Sequence, residues 1–229
     1  MSLEHKIGKA KSLLSEVEKN FTPAVFANSF GAEDMVLTDL IAKFFRRIEV
    51  FTLDTGRLPQ ETFLLMEQVA NRYSLPIKVY FPASSDVENY VAQHGPNAFY
   101  ESVERRKECC RIRKVEPFKR AVQGKAAWIT GVRREQATTR TGLSESEFDN
   151  AYGLHKFSPL LEWNLEDVWA YIRKFEVPYN ELHDKGYPSI GCAPCTRATV
   201  PGEDIRAGRW WWENPTHKEC GLHPKKASG

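Results

Sequence analysis

Two apolar periodicities alternate along the chain. Ile7, Ala10, Leu13, Leu14 and Val17 recur at helical spacing and predict an amphipathic helix over residues 3–17. Ala24-Val25-Phe26-Ala27-Asn28 reads as a short apolar strand. It runs into Ser29-Phe30-Gly31-Ala32-Glu33-Asp34, followed by a predicted helix over 35–45. Ile48 to Leu53 forms a second predicted strand that ends in Asp54-Thr55-Gly56-Arg57, and residues 59–73 read as a helix with Pro59 near its first turn. Ile77 to Phe81 and Ala126 to Thr130 are further predicted strands, the latter stopping at Gly131, and Leu154 to Leu160 is another candidate. Residues 111–122 read as helix, and Asn164 with Asp167 three positions on caps a helix through Phe175. Beyond Val177-Pro178 the pattern dissolves into turns around Pro188, Pro194 and Pro201.

Strands alternating with helices at this spacing predict an α/β fold with a mostly parallel sheet and helices on both faces. Ligands of such sheets bind at the carboxyl ends of the strands. Here those ends carry Ser29-Phe30-Gly31, Asp54-Thr55-Gly56-Arg57 and Gly131-Val132-Arg133-Arg134, which are small, polar and basic. A single domain is expected over residues 1–213, with 214–229, polar and aperiodic, as a flexible C-terminal segment.

Composition narrows the class. Of 229 residues, 41% are hydrophobic and 27% charged, which excludes disordered, collagenous and coiled-coil chains. No apolar run is long enough to span a membrane. The first twenty residues mix charges without an apolar core, so no secretory signal is read there and a cytoplasmic location is expected. A formal charge of +2 gives no general attraction to nucleic acid or membrane.

The five cysteines add candidate chemistry. An odd count without an export signal favours metal binding or thiol chemistry over a disulfide framework. Cys192 and Cys195 form a C-x-x-C knuckle that can put two thiolates on one metal or cluster edge. Cys109 and Cys110 are adjacent, whereas zinc knuckles use two to four intervening residues. A four-iron cluster offers separate corners to adjacent thiolates and takes four cysteines. Spacing alone leaves cluster, zinc and inert buried thiols open. The vicinal pair sits in a basic run from Arg105 to Lys114 that favours thiolates. Lys114 follows Cys110 by four residues, on the same face of a helix, either between a cluster and an anion or simply solvated. Cys220, flanked by His217, Lys218 and His223, is a candidate nucleophile or an incidental surface thiol.

The chain resembles the assimilatory adenylyl-sulfate (APS) reductases of the APS/PAPS reductase family. The matching segments are Ser29-Phe30-Gly31-Ala32-Glu33-Asp34, Leu53-Asp54-Thr55-Gly56-Arg57, Cys109-Cys110-Arg111-Ile112-Arg113-Lys114-Val115-Glu116-Pro117, Gly131-Val132-Arg133-Arg134-Glu135-Gln136, the run Tyr187 to Arg197, and Glu219-Cys220-Gly221-Leu222-His223. The resemblance implies an ATP-pyrophosphatase-like, that is adenine nucleotide alpha hydrolase-like, fold. It implies a [4Fe–4S] cluster on Cys109, Cys110, Cys192 and Cys195, and Cys220 as the nucleophile. It places Ser29, Leu53 and Gly131 at adenosine, and Lys114, Arg140, Arg206, Arg209 and His223 at phosphate and sulfate. Pro59-Gln60 departs from the His-Pro often found in relatives, which touches a helix start more than chemistry.

The implied activity is thiol-dependent reduction of APS to sulfite and AMP through an S-sulfocysteine on Cys220, in sulfate assimilation and cysteine biosynthesis. Thioredoxin is the implied electron donor, with glutaredoxin as the alternative, and a homo-oligomer is compatible with the sequence. Rival readings are a PAPS or dual APS/PAPS reductase, a tRNA thiolation enzyme of the same superfamily, and a zinc-stabilised nucleotide-binding module. Against the thiolation enzyme, the loop Ser29 to Asp34 lacks the lysine of a Ser-Gly-Gly-Lys-Asp-Ser loop and carries an acid.

Overall fold

The computed structural model describes residues 1–137, 143–214 and Leu222. Its contacts cluster into two compact units, the first of Met1–Thr52, Gln60–Lys78 and Val122–Glu181, the second of Leu53–Pro59, Val79–Ala121 and Leu182–Gly229.

The sheet has six strands: β1 (Ala24–Ala27), β2 (Glu49–Leu53), β3 (Ile77–Tyr80), β4 (Ala127–Ile129), β5 (Ser146–Asp149) and β6 (Leu154–Phe157). They lie in the order β3-β2-β1-β4-β6-β5. The pairs β1–β2, β1–β4 and β4–β6 are parallel, with Phe26 opposite Val50 and Ile129, while β5 pairs antiparallel with β6. The central strands are nearly all apolar because both faces are covered. Strand β5 was not foreseen: its exposed and half-buried residues alternate, as expected of an edge, and its apolar content is too low to register as a strand.

The helices are α1 (Leu3–Asn20), α2 (Ala32–Phe44), α3 (Gln60–Tyr73), α4 (Ser84–His94), α5 (Val103–Cys110), α6 (Glu116–Val122) and α7 (Leu165–Lys174). Ser2 caps α1 by accepting from the His5 N–H. Asn164 and Asp167 close the expected capping box on α7. Helix α2 is buried almost all round, as a helix inside a layered α/β core must be. In the first unit its Met35, Val36, Leu37, Leu40 and Ile41 pack with Phe26, Ile129, Phe157, Tyr171 and Ile172.

The expected helix over 111–122 needs correction. Helix α5 enters from Val103, and Arg111–Val115 form a π-helical turn before α6 resumes the α form. Hydrogen bonds there run from i to i+5, so the helical face linking Cys110 to Lys114 in the sequence reading is rotated. Such one-turn bulges recur at functional sites.

Candidate functional site

In the first unit, the loops after β1 and β4 are tied by one carboxylate. Asp34 accepts from the Ser29 N–H at 2.7 Å and from Ser29 Oγ at 2.6 Å with the same oxygen. It also accepts a backbone hydrogen bond from Gly131. A β-carbon on Gly131 would overlap Asp34 Oδ1, so only glycine lets the two loops meet. Burial pushes the Asp34 carboxyl up to about 6, against the lowering effect of the Ser29 bonds. Between Ser29 and Gly31, Phe30 is buried in the left-handed region at φ 60°, and its N–H donates to Asn28 Oδ1 at 2.8 Å. A bulky residue there is a local strain that recurs at ligand sites. Arg133, fully buried, donates to Glu33 at 2.8 Å and to Glu135 at 2.7 Å. Ser29 itself is exposed at the loop surface, whereas Gly131 is buried.

In the second unit, Cys109, Cys110, Cys192 and Cys195 are buried, form no disulfide, and line one pocket. Arg57, Arg106, Arg113 and Lys114 line it as well, with Phe99 and Trp210 as its apolar wall. Thr55 ties the pocket together: its hydroxyl lies 3.3 Å from Cys192 Sγ, and its carbonyl accepts from Arg113 Nη1 at 2.6 Å. The Ala193 N–H donates to the Arg57 carbonyl at 2.8 Å, which fastens the C-x-x-C turn to the same loop. Asp54 Oδ1 accepts from the Gly56 N–H at 2.7 Å, and Gly56, at φ 70°, completes that turn.

The thiols differ in their ease of ionisation. At Cys192 burial opposes ionisation, yet Lys114, the Thr55 hydroxyl, Arg209 and Arg113 together outweigh it and hold the thiol below its ordinary value. Burial first, and the neighbouring Cys192 second, push Cys195 up to about 12. Burial also raises Cys109, although Arg113 and Arg57 act against it. Among the described residues no three His, Cys, Asp or Glu side chains are placed to hold a single metal ion.

The predicted anion-binding residues divide. Lys114 is half-buried in the pocket wall. Arg209 is buried, stacks on Trp210 at 4.8 Å, and lies where any side chain at Gly191 would have to go. Its Nη1 is 3.3 Å from both Ser189 Oγ and the Ile190 carbonyl, and its buried Nε has no partner among the described residues. Arg206 is half-buried, and its N–H donates to Asp204 at 2.8 Å. Leu53 closes β2 and is half-buried. Arg140, Cys220 and His223 lie outside the described residues. Sequence reasoning did not single out Asp34, Thr55, Arg106, Arg113 or Trp210 individually. Asp34, Thr55 and Arg113 lie inside the family segments and Arg106 in the basic run from Arg105 to Lys114, while Trp210 sits in an aromatic run with no chemical signature of its own.

Residues 23–198 match the phosphoadenosine phosphosulfate reductase domain. The chain is 54% identical over 217 residues to adenosine 5′-phosphosulfate reductase of Allochromatium vinosum, covering 95% of this chain and 85% of that protein. It is 52% identical to the protein of the same name from Burkholderia cepacia, covering 96% and 88%. Among solved structures, phosphoadenylyl-sulfate (PAPS) reductase from Candida auris in a phosphate complex superposes with a TM-score of 0.72 at 29% identity, over 87% of this chain and 98% of that one. Candida glabrata FMN adenylyltransferase shares the fold, with a TM-score of 0.60 at 17% identity over 95% and 74%.

Proposed function

The chain belongs to the phosphoadenosine phosphosulfate reductase domain family, and we propose that within it the protein reduces adenosine 5′-phosphosulfate to sulfite and AMP with thiols as the electron source. The observation that carries this reading is the buried, cation-rich pocket of Cys109, Cys110, Cys192 and Cys195, in a chain sharing half its residues with proteins of that name.

The residues suit the chemistry. The substrate is a mixed phosphate–sulfate anhydride. A Cys220 thiolate attacks its sulfur, the S–O bond breaks, and AMP leaves as a stable anion with the bonding pair. That step needs alignment and charge neutralisation more than a strong acid. Ser29, Leu53 and Gly131 take the adenosine, and Asp34 sets the first and last of these in register. Lys114, Arg140, Arg206, Arg209 and His223 face the oxyanions; the Nε of Arg209, without a partner among the described residues, supports its share of that role. A thioredoxin or glutaredoxin thiolate then attacks the S-sulfocysteine at the cysteine sulfur and releases sulfite, and its second cysteine resolves the mixed disulfide. Such thiol chemistry suits a reducing, cytoplasmic setting. Among the described residues no helix is long and apolar enough to cross a membrane.

The four thiols fit a [4Fe–4S] cluster. They line one pocket, and Arg57, Arg106, Arg113 and Lys114 beside them would offset the negative charge of four thiolates. Bound there, the cluster supplies a rigid charged anchor for the anion site, since both reducing electrons come from thiols. Lys114, whose charge already acts on Cys192 and Cys195, carries that anchoring to the substrate's oxyanions.

Anaerobically purified protein is expected to hold iron and acid-labile sulfide, about four of each per chain. With thioredoxin it is expected to release sulfite from adenosine 5′-phosphosulfate, and Cys220→Ser is expected to release none. Zinc without sulfide, or sulfite release that survives Cys220→Ser, would sink the reading. The likeness to the Candida auris enzyme supports a second reading, in which the 3′-phosphorylated nucleotide is also accepted. Competition between the two nucleotides in one assay separates them.

A further inference from the structure

Within the second unit, Arg106 and Glu213 form an ion pair whose side chains are 0% and 3% exposed. Two parallel bonds join them, Nε to Oε1 at 2.8 Å and Nη2 to Oε2 at 2.7 Å. The guanidinium stacks on Trp210 at 4.8 Å and bonds to Cys110 as well. Burying such a pair confers little stability over apolar residues of similar size, and its best attested use is to fix one geometry.

The segment that Glu213 ends is pinned twice to the cysteine pocket. The Trp210 N–H donates to the Cys195 carbonyl at 3.1 Å, and the Glu213 N–H donates to the Trp210 carbonyl at 2.8 Å. One tether thus reaches the C-x-x-C turn. The other, through Arg106, reaches α5 next to Cys109 and Cys110. Trp212 adds an edge contact to Tyr100 with ring centroids 4.4 Å apart.

We propose that Arg106 and Glu213 are positioning residues that fix the point at which the chain leaves the four-cysteine pocket toward Cys220, so that the nucleophile's reach is set by the cysteine site. The inference rests on Cys220 being the nucleophile. From Glu213 to Cys220 the chain has seven residues, which span at most about 25 Å when extended. A fixed start bounds the distance at which the thiolate can act, and effective concentration falls when that start is loosened.

The test compares wild type with Arg106→Met/Glu213→Leu, which removes the pair without leaving a buried unpaired charge, and with the milder Glu213→Gln. Single-turnover formation of S-sulfocysteine, AMP affinity, and iron and sulfide content are measured on each. Per chain that holds iron and sulfide, the double variant is expected to form S-sulfocysteine about tenfold or more slowly, with AMP affinity unchanged; Glu213→Gln is expected to fall between. An unchanged rate in the double variant overturns the proposal. So does a rate loss that merely tracks lost iron and sulfide or lost AMP affinity, because the pair would then be structural. Cys220→Ser is run alongside: if it still forms the adduct, the nucleophile assignment fails rather than the tether.

Discussion

The two compact units bury different things. In the first, a hydrocarbon core of Val25, Phe26, Leu37, Leu40, Ile129 and Phe157 packs between sheet and helices, and the buried charge of Arg133 is met by Glu33 and Glu135. In the second, three of the four pocket cysteines belong to the apolar cluster around Tyr90, Phe99, Ile112 and Trp210, and Arg106, Arg113 and Arg209 are buried beside them. Buried charges cost free energy unless opposite charge or metal meets them, and a thiolate is such a charge where a neutral thiol is not. The charges buried in the first unit have protein partners, whereas the second gathers four thiols among cations, an arrangement suited to the cluster proposed above. Both place a buried aromatic residue at positive φ beside candidate functional groups, Phe30 at 60° and Trp210 at 41°. Each such residue costs about 1–3 kcal/mol, which burial of a large ring offsets.

The contrast breaks first at the cysteines. Cys192→Ser, or chelation under anaerobic reducing conditions, is expected to abolish metal content and lower sulfite release more than about a hundredfold. Hydrogen exchange should then quicken over residues 103–115 and 192–213 and stay unchanged over 24–52. Faster exchange throughout would mean that the first unit is not self-sufficient.

Lys114→Ala follows, with turnover reduced about ten- to a hundredfold as expected for loss of one oxyanion contact, while iron and sulfide remain normal. Unchanged turnover would remove Lys114 from the anion site.

Gly131→Ala moves the question to the first unit. The added methyl overlaps Asp34, so the loop must shift. KM for the nucleotide is expected to rise about tenfold while overpacking costs about 1–3 kcal/mol in urea unfolding, with metal content untouched. A stability loss without a KM change would make the Asp34–Gly131 contact purely structural.

The effect with least bearing on turnover is a pH slope in stability. The Asp34 carboxyl, raised by burial from 3.8 to about 6, binds its proton more tightly in the folded chain than in the unfolded one. Its contribution to stability is therefore greatest below the unfolded value and is lost as pH rises from about 4 to about 6, after which it is flat. The stability of wild type relative to Asp34→Asn is expected to fall by about 2–3 kcal/mol over that window. A difference that does not change with pH would show the carboxyl to titrate normally.

Strand and helix positions were legible where one local rule governs them. The apolar runs of β1, β2 and β4 marked buried strands, and Asn164 with Asp167 marked the start of α7. The π-turn at Arg111–Val115 was not legible, because shifting hydrogen bonds from i+4 to i+5 leaves no compositional mark. The pocket thiols could be paired as Cys109-Cys110 and Cys192-Cys195 by spacing, but their common burial with Arg113 and Thr55 required the fold.

Local chemistry, then, is what the sequence determined: where strands end, which loops are small and polar, which thiols come in pairs, and which family they belong to. These depend on neighbours a few positions apart, which the chain displays directly. Only the tertiary structure decided that Asp34 joins the loops after β1 and β4, and that Arg106 meets Glu213 at a separation of 107 residues. Such contacts depend on burial and on which donors find acceptors once water is excluded, and that is a property of the packed chain as a whole.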